Sequence, residues 1–362
     1  MALARRSSTR LAIIFTFLCV LLIWLNPNWT DRTIHHTFLF DPKKIDVSDA
    51  AETRNLCRQH GWSPFPNPAG RKVYDLIMIN TELDWLEIRL NSTYPYVDYF
   101  VIVESKKTFT NHDKPLVIKD NLDQFAAYRD KIIYHELEIP EDFHSERENP
   151  CWDFEDLQRN AMYTQVFPQL TGAKAPDTGD VIIVADVDEI VRPETLVVLK
   201  SCNFPRRLTL RSHFYYYSFQ YLHKGTQWAH PQATYYQGWR TILPVNLRNS
   251  DGNLQPLVRL EKGDLWSAGW HCSTCFSTVN EVLTKLSSFS HIWLNQEGYR
   301  DPNRIADRVR SGKDLWDRET EQYERINNNT DIPKGLLGNP EKFSYLLNRD
   351  GPTAGFRDYP PR

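Results

Sequence analysis

Short apolar runs alternate with amphipathic stretches in the first half of the chain. The apolar runs that predict strands cover residues 73–80, 99–103, 131–135 and 181–186. Between the first two, residues 82–90 carry leucines at helical spacings of three and four. Asn149 followed by Pro150 indicates the start of another helix, which we expect to reach Val166. Strands that alternate with helices predict an α/β fold with a mainly parallel central sheet flanked by helices.

The second half of the chain has a less regular pattern. Aromatic-rich or β-branched stretches predict strands at residues 207–211, 213–219 and 239–243. Residues 278–287 predict an amphipathic helix, because four apolar residues share one face. Thr278 and Glu281 have the spacing of a capping box at its start.

The apolar run at residues 181–185 ends in two aspartates, Asp186 and Asp188. Both side chains point the same way if the chain stays extended. Two carboxylates that converge repel each other, but they suit a hard cation such as Mg²⁺ or Mn²⁺. Glu104 also follows a predicted strand, and ligands of parallel sheets bind at the carboxyl ends of strands. The pattern therefore predicts a cation and diphosphate site at this edge.

Of two other interpretations of the aspartate pair, the first is disfavoured and the second stays open. A phosphatase-type nucleophile pair usually has Thr or Val where this chain has Ile190, and it usually follows the first strand. Alternatively, the carboxylates are solvated or cap a helix that starts near Pro193. Upstream, Glu155 and Arg159 have the spacing of an exposed ion pair, although Arg159 or Asn160 could instead bind a nucleotide.

The N-terminus carries an apolar segment at residues 11–25, preceded by Arg5, Arg6 and Arg10. This pattern fits a signal peptide or a signal anchor, and the missing small-x-small cleavage site favours the anchor. We expect a cytoplasmic tail at 1–10, the transmembrane anchor at 11–25, a stem at 26–70 and a lumenal body at 71–362.

That topology places five of the six cysteines in an oxidising compartment, where disulfides persist. Five is odd, so at least one thiol is free or pairs with another chain. A zinc site at Cys272 and Cys275 would need a second ligand pair, so a disulfide is favoured. His271 beside them is a metal ligand, a phosphate donor or a core histidine.

Net charge and aromatic content narrow the function classes. The formal net charge of −3 does not indicate nucleic-acid binding, which normally shows a basic face. Eleven tryptophans suit a core, but they also suit sugar binding, because flat rings pack on the apolar faces of pyranoses.

Six motifs stand in the order expected of glycosyltransferase family 17, which the chain resembles over roughly residues 73–350. They are Asn80-Thr-Glu-Leu-Asp-Trp-Leu-Glu-Ile-Arg-Leu90, Val97-Asp-Tyr-Phe-Val-Ile-Val-Glu-Ser105 with Thr108-Phe-Thr110, Gln158-Arg-Asn160, Ala185-Asp-Val-Asp-Glu-Ile190, Gly269-Trp-His-Cys-Ser273 and Ser290-His291.

The resemblance implies a GT-A-like domain in a Golgi membrane protein of the single-pass type II topology. It implies UDP-GlcNAc as donor, a divalent cation (Mn²⁺ or Mg²⁺) and inversion at the sugar carbon. It also implies transfer to the core β-mannose of glycoprotein N-glycans in β1,4 linkage. Many relatives carry an acidic residue soon after the Ser290-His291 motif, whereas this chain has Ile292 and Trp293.

Candidate site residues follow from these motifs. We expect Asp186 and Asp188 to bind the cation, and Glu82, Glu104, Arg159, Asn160 and Trp270 to bind the donor. The catalytic candidates are Asp188, Glu189, His271 and His291. The general base is expected to be Glu189 or His271, with His291 and Glu297 as further candidates.

Two further hypotheses remain. One keeps the fold and changes the sugar donor or the glycan acceptor. The other is an inactive lumenal glycan-binding protein, against which the acidic pair argues.

Overall fold

The computed structural model describes residue 16 and residues 35–36, 39–145, 147–249, 255–288 and 292–359. The predicted anchor at 11–25, apart from Thr16, and the candidate His291 lie outside these residues. None of the helices in the described part of the chain has the length and apolar composition of a membrane span.

The described residues contain thirteen strands and ten α-helices. The strands are β1 His35–His36, β2 Ser63–Pro64, β3 Val73–Met78, β4 Tyr99–Glu104, β5 Ile132–Glu136, β6 Val181–Asp186, β7 Glu189–Val191, β8 Cys202–Asn203, β9 Arg207–Tyr216, β10 Ser218–His223, β11 Gln232–Tyr235, β12 Lys262–Ser273 and β13 Tyr323–Arg325. The helices are α1 Ala50–Gln59, α2 Leu83–Thr93, α3 Val117–Asp120, α4 Cys151–Thr164, α5 Pro193–Ser201, α6 Pro244–Arg248, α7 Gln255–Leu260, α8 Val279–Ser288, α9 Pro302–Ser311 and α10 Ser344–Leu347. Seven 3₁₀ helices cover Pro42–Lys44, Leu122–Tyr128, Phe167–Gln169, Gly172–Lys174, Ile292–Leu294, Glu297–Tyr299 and Lys334–Gly338.

Eleven of these strands form one sheet, whose main path runs β1-β12-β9-β11-β6-β3-β4-β5. The four strands from β6 to β5 are parallel, as expected. Beyond them the sheet is mixed, because β11 runs antiparallel to both β6 and β9. The expectation of a mainly parallel sheet therefore holds for one half only. In the other half, β9 and β10 are separated by Tyr217 alone, and a connection that short joins only antiparallel strands.

Both faces of the parallel half are buried. Along β3, Val73 and Ile77 belong to one apolar cluster, while Leu76 and Met78 belong to a second cluster on the opposite face. This explains why β6 is apolar throughout up to Asp186, and β3 is interrupted only by Asp75, instead of alternating between apolar and polar residues.

The helix predictions agree with the structure better than the late strand predictions. Helices α2, α4 and α8 lie where the sequence placed them. The strand predicted at 239–243 is wrong: this segment is a turn with Gly238 at φ +58°, and α6 starts directly after it. Pro244 at the first position of α6 sets the start of that helix.

Ordered packing onto the sheet domain begins before residue 71, the expected boundary between stem and body. Helix α1 packs Leu56 against Val197 and Val198 of α5. A disulfide between Cys57 and Cys202 joins the same two regions. Residues 39–70 therefore pack onto the sheet domain as part of it.

The remaining described cysteines agree with the sequence argument. Cys272 and Cys275 form a local disulfide, as favoured over zinc binding. Cys151 is a buried free thiol, which accounts for the odd number.

Candidate functional site: a charged and aromatic cleft at the strand ends

Asp186, the last residue of β6, is followed by a turn through Val187 and Asp188. The buried side chain of Arg89 holds the backbone of this turn in place. One Arg89 nitrogen donates to the carbonyls of Asp186, Val187 and Glu189 at 2.9, 3.2 and 2.9 Å. The other two nitrogens bind the Asp75 carboxylate at 2.7 and 2.6 Å. Arg89 is thus a buried anchor that fixes the backbone of this turn.

Asp186 is engaged by two guanidinium groups. Arg159 donates to its Oδ1 at 3.0 Å, and Arg248 donates to its Oδ2 at 2.7 Å. Arg159 also pairs with Glu155, so the i,i+4 ion pair predicted from sequence is present. Since both oxygens of Asp186 are occupied, the structure shows this residue as an arginine partner, and its expected metal role stays a prediction.

Glu189, expected as a general base, is fully buried. Its oxygens accept from both terminal nitrogens of Arg248 at 2.8 Å, from the Trp228 indole at 2.8 Å and from the Asp186 backbone at 2.9 Å. Burial alone would raise its pKa, but the Arg248 charge outweighs burial and holds the pKa of Glu189 well below its ordinary value. The structure therefore shows Glu189 as a buried partner of Arg248, and its expected role as general base stays a prediction.

Asp188 faces His271 across the same turn. His271 Nδ1 lies 3.6 Å from Asp188 Oδ1 and makes no hydrogen bond to a described residue. The imidazole stacks with Phe214 at 5.1 Å and with Trp228 at 4.7 Å between ring centroids. Burial opposes ionisation of Asp188, but His271 and Lys285 together lower its pKa below the ordinary value. Asp188 therefore presents a charged carboxylate beside an imidazole nitrogen that makes no hydrogen bond to any residue in the described part of the chain.

These residues open into a cleft of about 680 Å³. Six carboxylates line it: Glu82, Glu155, Asp186, Asp188, Glu281 and Glu321. Three cations line it: Arg248, Lys285 and Arg318. An aromatic wall completes it, formed by Phe109, Trp152, Phe214, Tyr216, Trp228, Phe276, Trp293 and Trp316.

Of the residues expected to bind the donor, only Glu82 lines this cleft. It accepts from the backbone of Asn80 and Thr81 at 2.9 and 2.8 Å through Oε2. Arg159 lies behind the cleft and reaches it through Asp186. Asn160 accepts from the Val245 backbone at 3.1 Å, so it positions α6, which carries Arg248.

Glu104 and Trp270 do not line the cleft, and their expected contact with the donor stays a prediction. Glu104 is fully buried and accepts from the backbone of Ile118 and Lys119 at 2.9 and 3.1 Å and from the Tyr134 hydroxyl at 2.9 Å. Trp270 precedes His271 on β12, so its side chain lies on the opposite face. There its indole donates to Asp331 at 3.0 Å. Glu297 lies in a separate polar pocket with Arg300 and Asp301.

Five residues of the site were not predicted from the sequence: Arg89, Arg248, Lys285, Phe214 and Trp228. The sequence does contain a pattern that indicates Arg89: it is a basic residue in a largely apolar helix, and Asp75 is an acidic residue in a largely apolar strand. Two opposite charges buried in one core are expected to pair, because an unpaired buried charge is costly. Arg248 gives no such pattern, because 62 residues separate it from the aspartate that it binds.

No group of three or more His, Cys, Asp and Glu side chains in the described part of the chain has an arrangement that would hold a metal. The donor set at Asp188 and His271 consists of two residues. Mg²⁺-type sites that bind phosphates use one or two carboxylates, with substrate oxygens and water as the other ligands. A two-residue set with an unpartnered nitrogen fits a cation of this kind.

The family model described as Glycosyltransferase family 17 matches residues 9–352 of the chain. The chain belongs to glycosyltransferase family 17. Its family 17 relatives include the Beta-1,4-mannosyl-glycoprotein 4-beta-N-acetylglucosaminyltransferase of Homo sapiens, 28% identical over 309 residues that cover 78% of this chain and 56% of the relative. The protein of the same description from Mus musculus is 29% identical over 308 residues, covering 78% of this chain and 55% of the relative. The chain spans about half the length of these curated relatives.

Among solved structures, this family 17 chain is similar to glucosyl-3-phosphoglycerate synthase from Mycobacterium tuberculosis. The TM-score is 0.25 at 12% identity, over 50% of this chain and 51% of that chain. A likeness of this size carries no statement about function.

Proposed function

We propose that the protein is an inverting glycosyltransferase with a GT-A-like domain, which moves GlcNAc from UDP-GlcNAc to the core β-mannose of N-glycans in β1,4 linkage. The observation that supports this most is the cleft itself. It combines Asp188 and His271 at the carboxyl ends of the parallel strands with a wall of aromatic rings. Ligands of parallel sheets bind at those ends, and the rings suit the apolar faces of sugars.

A divalent cation, Mn²⁺ or Mg²⁺, fits the charge of this cleft. Six lining carboxylates against three lining cations would repel a diphosphate unless positive charge were added. We propose that Asp188 and His271 hold this cation, and that the cation supplies charge for the leaving diphosphate. Arg248 and Arg159 keep Asp186 neutralised beside them.

In the transfer, the acceptor hydroxyl oxygen forms a bond to C1 of GlcNAc. The bond from C1 to the β-phosphate oxygen breaks, and its electron pair leaves with UDP. The hydroxyl proton passes to a cleft carboxylate. Glu82 and Glu281 fit this role, because each binds its partners through Oε2 and has no partner for Oε1 among the described residues.

We also propose that residues 11–25 anchor the chain in the Golgi membrane with the body in the lumen. The basic residues before the segment support this orientation. The two disulfides of the body support an oxidising compartment.

The test is a transfer assay with UDP-GlcNAc, Mn²⁺ and a panel of defined N-glycans, with linkage analysis of the product. We expect a β1,4-linked GlcNAc on the core mannose, and at least a 100-fold loss of rate in Asp188→Ala, since charge stabilisation of this kind is worth about 10²–10³ in rate. The matched control is Asp123→Ala, whose side chain is fully exposed. Full activity of Asp188→Ala, or of the wild type in EDTA, would remove the cation role. Glycan binding without transfer or UDP-sugar hydrolysis would indicate a binding protein instead, and transfer of another sugar or to another glycan would change the donor or acceptor.

A further inference from the structure

The polar face of α8 forms one wall of the cleft. Its apolar residues Val279, Val282 and Leu286 are buried in the core. Its polar residues Glu281, Lys285 and Ser288 line the cleft instead. Both predicted features of this helix, its apolar face and its capping box, are confirmed, and together they set which residues face the cleft.

Glu281 and Lys285 are four residues apart, a spacing at which a glutamate and a lysine usually pair. Here the glutamate turns back to the start of the helix. Its Oε2 accepts from the backbone and the hydroxyl of Ser277 and of Thr278, at 2.8–2.9 Å. The capping bonds direct Oε2 of Glu281 toward the start of the helix, and no salt bridge joins Glu281 to Lys285 among the described residues.

Lys285 differs in this respect from the other two cations of the cleft. Arg248 is bound to Asp186 and Glu189. Arg318 is bound through two nitrogens to Asp314, at 3.2 and 2.8 Å. Lys285 forms no salt bridge with any residue that the structure describes, and its ammonium lies 5.4 Å from the centre of the Phe276 ring.

This free charge lies near the residue that we propose to hold the cation. Lys285 and Asp188 both line this cleft. An anion bound beside Asp188 would therefore meet Lys285 without first breaking an ion pair. A compact ammonium on a flexible stem is a common phosphate ligand.

We propose that Lys285 binds the diphosphate of the sugar-nucleotide donor and offsets the negative charge that the diphosphate gains as the bond to C1 breaks. The inference rests on the proposed function, because it assumes a nucleoside diphosphate donor. It adds a residue that acts directly on the leaving group.

The test measures binding of UDP, UMP and uridine to the full-length protein by calorimetry in the presence of Mn²⁺. We compare the wild type with Lys285→Met, which keeps the length of the side chain, and with Lys285→Arg, which keeps the charge. The matched control is Lys334→Met, an exposed lysine away from the cleft. Circular dichroism checks that each variant is folded, and Lys285→Gln replaces Lys285→Met if the latter is not.

We expect Lys285→Met to weaken UDP binding by about 10- to 100-fold, because one charge-assisted hydrogen bond is lost. UMP binding should weaken less and uridine binding not at all. Lys285→Arg should recover most of the UDP affinity, and Lys334→Met should match the wild type. In turnover, Lys285→Met should lower kcat as well as raise the donor KM, since the charge acts most strongly in the transition state.

The experiment distinguishes failure of this inference from failure of the proposed function. If the wild type prefers UDP to uridine and Lys285→Met keeps that preference, the inference is wrong and the proposed function stands. If the wild type does not prefer UDP to uridine at all, both are wrong. An equal loss for UDP and uridine in Lys285→Met would mean that the lysine shapes the cleft and does not bind phosphate.

Discussion

At the scale of single residues, the cleft depends on charges that are compensated before any ligand binds. Asp186 and Glu189 share Arg248, and Arg159 completes the set. Removing one partner from a buried pair leaves an unpaired charge in a low dielectric, which costs far more than losing an exposed pair. The position of the aspartates follows from the apolar run before them, but their partners depend on chain folding and could not be inferred.

Arg248→Met should therefore lower the free energy of unfolding by about 3–5 kcal/mol, because Glu189 stays buried without its cation. Urea denaturation measures this. Arg129→Met is the control, since Arg129 pairs with Asp123 on the surface and should lose less than about 1 kcal/mol. Adding Glu189→Gln to Arg248→Met should recover part of the loss. Equal losses of unfolding free energy in Arg248→Met and Arg129→Met would contradict the conclusion that Arg248 compensates the buried charge of Glu189.

The low pKa of Glu189 predicts how stability varies with acid. A carboxyl whose folded pKa is depressed stabilises the fold above its ordinary value of 4.5 and loses that contribution as the pH falls toward the folded pKa. The free energy of unfolding of the wild type should fall as the pH drops below about 4.5. Glu189→Gln should show a shallower fall over the same window. Parallel curves for the two proteins would show that other groups dominate.

At the scale of elements, the sequence predicts α8 almost to the residue, because its apolar face and its capping box agree with each other. The strands of the second half are harder. The stretch predicted at 213–219 is divided between β9 and β10 at Tyr217, whose φ is +65°. A left-handed residue of this type has no sequence pattern in a run of aromatics, so such a break could not be foreseen.

Gly269 shows how closely β7 and β12 pair. A Cβ at this position would lie 2.4 Å from the carbonyl oxygen of Ile190. Gly269→Ala should push the strands apart, with a loss of about 1–3 kcal/mol in unfolding free energy. It should also shift His271, which lies opposite Glu189 in the same pairing, and so reduce transfer.

The control for this prediction is Gly298→Ala, where an added Cβ meets nothing within 4 Å. Thermal melting and the transfer assay together measure the outcome. If Gly269→Ala melts like Gly298→Ala, the close approach of the two strands is not a constraint.

At the scale of the whole molecule, the structured body includes residues that the sequence suggested were stem. The segment before residue 71 has little hydrophobic periodicity and several prolines, so its sequence did not predict that α1 packs on the body. A single short helix of this kind gains its stability from tertiary contacts and a disulfide, which local sequence does not show. The motifs of the family resemblance, by contrast, include Glu82, Asp188 and His271, which are far apart in the chain and line one cleft in the structure.

A chain that starts at residue 39 should therefore be more stable than one that starts at residue 71. The shorter chain loses α1 and the Cys57–Cys202 disulfide, whose removal alone costs about 2–5 kcal/mol. Melting temperatures measure the difference. The double variant Cys57→Ser/Cys202→Ser in the longer chain separates the disulfide from the packing of Leu56. Equal melting of the two truncated chains would restore the original stem boundary.

The alternation of side chains along β12 is useful for engineering this protein. His271 and Ser273 line the cleft, whereas Trp270 and Cys272, which alternate with them along the strand, belong to the core. The lining of the cleft and the packing of the core thus depend on alternate positions of one strand. Variants at position 273 would change the lining of the cleft while Trp270 and Cys272 keep the core packed, whereas His271 has to be retained for its place beside Asp188.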